Sequence, residues 1–252
     1  MKETITFIGN GNMALSIAQG LKETFKIEVV GRETAKLEKF EKELGVKIQK
    51  NNYESFDMNG KKVILCVKPA NIQEVGARLN GMAKELYSVL AGTTVSTLKE
   101  NIKSNATVRV MPNLAASVAE SMTTMTGDIE LKKESEELFK SIGQTLWLGS
   151  EKEVDIATAV AGSGPAYLAL IHESLCDGAV KQGMKRADAI SVTNGLFKGF
   201  GDLISTIHPA LLKDGVMSPG GTTAAGYSAL EENGVRNGCI KAVEAAFQVT
   251  QK

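Results

Sequence analysis

Two glycine-led segments hold the residue types from which a reaction site can be built. Near the amino end, Gly9-Asn10-Gly11-Asn12-Met13-Ala14 forms a GxGxxA pattern that follows the apolar run TITFI and opens the helical pattern MALSIAQGLKE. The first glycine permits a tight turn and the second lets the backbone approach a pyrophosphate. Ala14 lets the helix lie close on the sheet, with the helix N-terminus facing the phosphates. The pattern by itself is compatible with a plain strand-to-helix turn; the strand before it and the helix after it favour a dinucleotide site. Near the other end, Ser218-Pro219-Gly220-Gly221-Thr222-Thr223 leads into AAGYSALEENG. N–H groups and hydroxyls gather there at a positive helix terminus, which suits a carboxylate ligand. Thr222 acting only as a helix cap is the simpler alternative, and it leaves the glycine pair and the second hydroxyl unexplained.

An NAD enzyme usually presents Asp or Glu about 20 residues after the glycines to bind the ribose hydroxyls. Here EVVGRET offers Gly31 and then Arg32. Gly31 leaves room for a 2′-phosphate and the Arg32 guanidinium pairs with it, so NADPH is the expected cofactor and NADH remains open. Glu33, one position late, is the competing feature, and a solvated surface Arg32 the plain one. VILCVKPAN and VLAGTT run from apolar strands to the carboxyl edge, where open α/β sheets bind ligands. Pro69 and Gly92 shape those loops, and Lys68 is expected to supply backbone and charge beside a cofactor rather than catalysis. RVMPN ends another strand, its Asn113 reaching a carboxamide or capping the next segment. The two histidines, His172 and His208, belong to no Ser/His/Asp arrangement and read as structural. Cys66, Cys176 and Cys239 form neither a CxxC pair nor a cluster with His, so no metal is expected and the thiols read as reduced. Chemistry on this chain should need little proton management. Hydride transfer to an already protonated imine fits, since the cofactor carries the hard step.

The elements that must position these residues follow from texture. From Lys2 to about Gly149, TITFIG, IEVVGR, KKVILCVKP, YSVLAGTT, TVRVMPN and TLWLG read as strands alternating with amphipathic stretches. That implies an α/β chain with an N-terminal Rossmann-like, mostly parallel sheet domain over residues 1–150. Past Ser150 the spacing turns helical, as in Leu168, Ile171, Leu175 and Ala179, which implies an all-α domain over 151–252. GSGP (Gly162 to Pro165) starts one helix there, and Gly183 and Gly234 end two others. With 29 basic and 29 acidic residues and 5% aromatics, nothing suggests a nucleic-acid groove. No charged leader precedes the first strand and no apolar run reads as long enough to cross a bilayer, so a cytoplasmic protein without a membrane partner is expected.

IGNGNMA, MPN at Met111, AVAGSGPAY from Ala159 to Tyr167, and HPALLKDGVMSPGGTTAAGYSALE from His208 to Glu231 together resemble the pyrroline-5-carboxylate reductase family over nearly the whole chain. The resemblance implies NAD(P)H-dependent reduction of the cyclic imine (S)-1-pyrroline-5-carboxylate to L-proline, the last step of proline synthesis. It also implies a homodimer, or a ring of dimers, through the helical domain. Carried over by motif, Ser218 and the backbone of Gly220, Gly221 and Thr222 would hold the substrate carboxylate. Thr223 would bond the ring nitrogen as the catalytic contact, and Glu151 would stand near the substrate. Asn52, Val67, Lys68, Pro69, Ala91 and Gly92 would line the cofactor beside the Gly9–Ala14 turn and Arg32. A β-hydroxyacid dehydrogenase shares the two-domain plan, but the helical GGxxxK pattern of that family does not follow Gly162. A non-enzymatic dinucleotide sensor would need the first domain but not SPGGTT.

Overall fold

The computed structural model describes residues 2–251. In its first part the strands are β1 (Thr4–Ile8), β2 (Lys26–Val30), β3 (Gln49–Asn51), β4 (Lys62–Leu65), β5 (Ala83–Ser88), β6 (Ser104–Met111), β7 (Ser121–Gly127) and β8 (Gly143–Trp147). They form one sheet in the order β3-β2-β1-β4-β5-β6-β7-β8. The helices between them are α1 (Asn12–Leu21), α2 (Thr34–Leu44), α3 (Ile72–Arg78), α4 (Val95–Asn101) and α5 (Lys132–Phe139). Alternation with period two divides the apolar residues between the two faces. Ile5, Phe7, Val29 and Ile64 meet α1, α2 and α5 on one side, while Ile8, Val30, Val63, Leu65 and Leu86 meet α3 and α4 on the other. Both faces are covered, as right-handed crossovers between parallel strands require.

The sheet is mostly parallel, as the strand texture implies, with one reversal: β7 runs antiparallel to β6, and β8 is parallel to β7. Two strands escape the sequence reading. β3 is the polar tripeptide Gln-Lys-Asn, a strand only because it adds to the edge of β2. β7, SMTTMTG, has no apolar alternation, yet Thr123 and Met125 are fully buried by the neighbours on either side. The expected strand YSVLAGTT lies mostly past the end of β5, which closes at Ser88 where the ladder to Leu65 and Arg109 stops.

The remaining helices are α6 (Glu151–Ala157), α7 (Gly164–Lys181), α8 (Arg186–Ile204), α9 (Pro209–Val216), α10 (Thr222–Glu232) and α11 (Val235–Thr250). Gly183 and Gly234 take positive φ, 102° and 73°, just past the ends of α7 and α10. The chain divides into two compact units: the residues up to Ser163 together with those from Ala246 onward, and Gly164–Ala245. The division falls later than Ser150 because α6 belongs with the sheet. In the second unit the buried residues on α7 and α8 are Cys176, Ala189 and Thr193, and none is described on α9 or α10. Leu168, Leu170, Val192, Leu196, Phe200 and Leu211 are all exposed.

One expectation is corrected. The helical run Glu151–Lys181, with a mean hydropathy of 1.4 in its best window, is long and apolar enough by length and composition to cross a membrane. The sequence reading starts a helix at GSGP, and α7 does begin there, at Gly164. In the structure a π-helical turn at Thr158–Gly162 carries the backbone through.

Candidate functional site

Between β1 and α1 the chain makes the turn that the glycines allow. Gly9 has φ +105°, and a Cβ there would stand 2.5 Å from the carbonyl oxygen of Cys66 at the end of β4. Its N–H donates to the Val30 oxygen at 3.0 Å, so positive φ and close approach both demand glycine. Gly11 is the N-cap of α1 without a side-chain cap, and a Cβ there would meet nothing within 4 Å. The first N–H groups of α1 are therefore without a side-chain cap. Asn12 is exposed, Met13 half-buried, and Ala14 fully buried against the sheet. The Asn10 side-chain nitrogen is buried with no hydrogen-bond partner, a donor that a bound acceptor would satisfy. Gly9, Asn10 and Gly11 line one wall of a cleft of about 420 Å³. Orphaned donor, open helix terminus and glycine cradle together fit a dinucleotide pyrophosphate.

The same cleft has charged lining residues. Arg32, just past β2, is half-exposed and lies 3.7 Å from Glu74 on α3. Lys36, in the first turn of α2, donates to Glu33 at 2.6 Å. Tyr53 is buried, and burial pushes its phenol pKa up while Arg32 and Arg78 oppose the shift. The Arg78 guanidinium sits 5.5 Å from the Tyr53 ring centre. Val67 and Lys68 line the cleft, and Pro69 opens the 3-10 turn that leads into α3. Cys66 also lines it, and burial pushes its thiol pKa well up, so it stays protonated. Asn52 caps the turn Tyr53–Ser55 by accepting from Glu54 N at 3.4 Å, and it is the adjacent Tyr53 that enters the lining. Ala91 and Gly92 are exposed beyond β5, outside this lining, and Gly92 takes φ +66°. Lys36, Tyr53, Asn71 and Glu74 are lining residues the sequence did not single out. Lys36 had a signal, since it stands four residues after Arg32; the others come from separate crossovers and had none.

In the second unit, Gly220 takes φ +70° and Gly221 N–H donates to the Ser218 oxygen at 3.0 Å. A Cβ on Gly221 would overlap the Ser218 hydroxyl, so the glycine pair is what lets the turn close. Gly221, not Thr222, is the N-cap of α10, and no side-chain cap bond is made. Thr222 therefore stands at the first helical position and the simple cap reading is not realised. Ser218, Thr222 and Thr223 are all exposed. His172 bonds Asn194 at 2.9 Å and packs edge-on to Phe197, while His208 accepts from Ala210 N at 3.3 Å. Both histidines thus have structural work, as the sequence implied.

Glu151, at the start of α6, accepts from Val95 N at 2.8 Å and from Arg109 at 3.1 Å. Arg109, 1% exposed on β6, gives its other terminal nitrogen to Asp155 at 2.6 Å. One oxygen of the Glu151 carboxylate, Oε1, takes both bonds, and the side chain stays 37% exposed. Asn113 follows the capping alternative: it accepts from Ala115 N and donates to Ala161 O in the π turn, each at 3.0 Å. Among the described residues no group of three or more His, Cys, Asp or Glu side chains could hold a metal ion.

Comparison with known proteins bears on both units. Residues 151–252 match the family model described as pyrroline-5-carboxylate reductase dimerisation, and residues 4–92 match NADP oxidoreductase coenzyme F420-dependent. The chain is 33% identical over 248 residues to pyrroline-5-carboxylate reductase of Helicobacter pylori (strain J99), covering 95% of this chain and 96% of the relative. It is 35% identical over 258 residues to the protein of that name from Glycine max, with 96% and 93% covered. Among solved structures, 1-pyrroline-5-carboxylate reductase from Streptococcus pyogenes superposes with TM-score 0.88 at 29% identity, with 98% of each chain covered. Plasmodium falciparum pyrroline carboxylate reductase with NADP bound gives 0.82 at 27%, with 99% of this chain and 97% of that one covered.

Proposed function

The chain belongs to the pyrroline-5-carboxylate reductase family, and from that premise we propose how its residues serve the NAD(P)H-dependent reduction of (S)-1-pyrroline-5-carboxylate to L-proline. The dinucleotide, when bound, supplies a hydride to the C=N carbon. The Gly9–Ala14 turn receives the pyrophosphate, with the Asn10 amide and the open N–H groups of α1 as donors. Arg32 pairs with a 2′-phosphate. Asn52, Val67, Lys68, Pro69, Ala91 and Gly92 flank the rest of the cofactor. Ser218 and the backbone from Gly220 to Thr222 hold the substrate carboxylate at the start of α10, and the Thr223 hydroxyl orients the ring nitrogen. Glu151 stands near the substrate, and its ion pair with Arg109 orders the start of α6. Alignment of the two reactants accounts for up to ~7–11 kcal/mol of barrier reduction.

The observation that carries this reading is shared by the two glycine segments: each starts a helix, α1 or α10, whose first N–H groups have no side-chain cap. Uncapped helix starts of that kind favour phosphate at one and carboxylate at the other. In this reading residues 1–150 bind the cofactor, residues 151–252 bind substrate and dimerise, and the protein works in the cytoplasm as a homodimer or ring of dimers. The bare apolar faces of α7, α8 and α9 support assembly, and they make the apolar run from Glu151 an interface rather than a membrane span. The test is loss of NADPH absorbance with pyrroline-5-carboxylate, run beside a panel of β-hydroxyacids and NADP. Turnover of the hydroxyacids alone, or cofactor binding without turnover of any cyclic imine, would overturn it.

A further inference from the structure

Gly31 and Arg32 stand at the end of β2, where an NAD enzyme carries a carboxylate. In the folded chain a carboxylate nevertheless reaches that end of the cleft, from another crossover. Glu74 on α3 lines the cleft beside Arg32, and its Oε1 lies 3.7 Å from one Arg32 nitrogen and 3.4 Å from one of Arg78. The Arg32 and Glu74 side chains are 56% and 54% exposed, so the pair is loose and can exchange partners. Glu33 is a different case, because Lys36 already holds it at 2.6 Å.

We propose that Glu74 is a specificity-determining residue that narrows this enzyme's preference for NADPH over NADH. It competes with the 2′-phosphate for Arg32, and it offers an acceptor to the 2′-hydroxyl of a non-phosphorylated ribose. The inference rests on the cofactor reading above. Its physical basis is a contest over one guanidinium. A phosphate drawn to Arg32 enters beside a carboxylate of the same sign, and part of the attraction offsets that repulsion. A ribose hydroxyl meets no such penalty and can donate to Glu74 in the way that NAD enzymes use Asp or Glu after the second strand. The sequence spacing hides this carboxylate, since it lies far beyond the position where the ribose ligand is usually sought.

The experiment is calorimetric titration of the full-length protein with two probes that undergo no turnover, adenosine 2′,5′-bisphosphate and adenosine 5′-monophosphate. Glu74→Gln keeps the shape and removes the charge. It should tighten the bisphosphate roughly two- to fivefold, the range that an exposed ion pair covers, and leave the monophosphate unchanged or weaker. The NADPH to NADH ratio of Kd values should move the same way. On an Arg32→Ala background the Glu74→Gln change should have a smaller effect on the ratio, because the contest for the guanidinium is gone and only the direct repulsion and the ribose contact remain. An unchanged ratio in Glu74→Gln, or a shift toward the monophosphate, overturns the role of Glu74 while the cofactor cleft stands. Failure of both probes to bind the parent protein overturns the cleft assignment, and the inference with it. A thermal unfolding midpoint equal to that of the parent protein is the check that the variant is folded.

Discussion

Replacing Arg109 with methionine would expose how strongly the sheet holds α6. Arg109 projects from β6 and is 1% exposed, with terminal nitrogens 3.1 Å from Glu151 and 2.6 Å from Asp155. Methionine occupies much of the same space without charge, so two carboxylates lose their counter-ion. Their situations differ. The Glu151 side chain is 37% exposed and keeps the Val95 N–H, so it rehydrates cheaply. The Asp155 side chain is 12% exposed and, among the described residues, keeps a 3.5 Å contact from Gln251. Removing one partner of a buried pair costs about 3–5 kcal/mol, and with Glu151 largely spared the expected loss is ~3 kcal/mol. That corresponds to a Tm lower by roughly 6–12 °C in a chain of this size. Urea unfolding followed by fluorescence is a direct assay, because the single tryptophan, Trp147, is on β8 in the same unit. Adding Asp155→Leu should recover most of the loss, since a buried ion pair is close to break-even against apolar packing. A loss under ~1 kcal/mol for Arg109→Met, or a double variant as unstable as the sum of the singles, would refute the reasoning.

Gly9→Ala places a methyl against the backbone of Cys66 at a φ of +105°, so calorimetry should show NADPH binding at least ~10-fold weaker, together with a stability loss of ~1–3 kcal/mol; unchanged binding would disprove the tight-turn argument. Thr223→Val should keep cofactor binding and lower kcat/KM for the imine by ~1.5–3 kcal/mol, roughly ten- to hundredfold, whereas Ser218→Ala should mainly raise KM. Wild-type efficiency in Thr223→Val with loss in Thr222→Val would mean that the other hydroxyl faces the substrate. Multi-angle light scattering at micromolar concentration should show a dimer or a multiple of dimers, and a monomer would contradict the role given to the exposed helices. Hydrogen bonds from Arg236 and Tyr227 hold the Glu231 carboxyl down to about 2. Its pKa is depressed by folding, so its contribution to stability is present above the ordinary carboxylate range and is lost as pH falls through that value. A carboxyl NMR titration that places Glu231 in the ordinary range would exclude the pairing.

The sequence by itself determined what depends on a few contiguous residues. The Gly9–Ala14 turn, the C′ glycines at 183 and 234, the start of α10 at Gly221 and the family signature around Ser218 were legible because each is a local backbone requirement with a matching residue type. The alternation of strands and helices up to Gly149 was legible for the same reason, since a period of 2 or 3.6 is written into neighbouring positions. Tertiary structure decided what depends on which segments become neighbours. β3 and β7 are strands only because β2 and β6 offer edges to them, and no period in QKN or SMTTMTG announces it. GSGP announces the start of α7, but nothing in the sequence announces the π turn at Thr158–Gly162 that precedes it. Arg109 reaches Glu151 across a gap of 42 residues, and Glu74 reaches Arg32 only because parallel crossovers bring successive strand ends to one sheet edge. Such pairings carry no local signature: what brings those side chains together is the register of the sheet, a property of the whole chain.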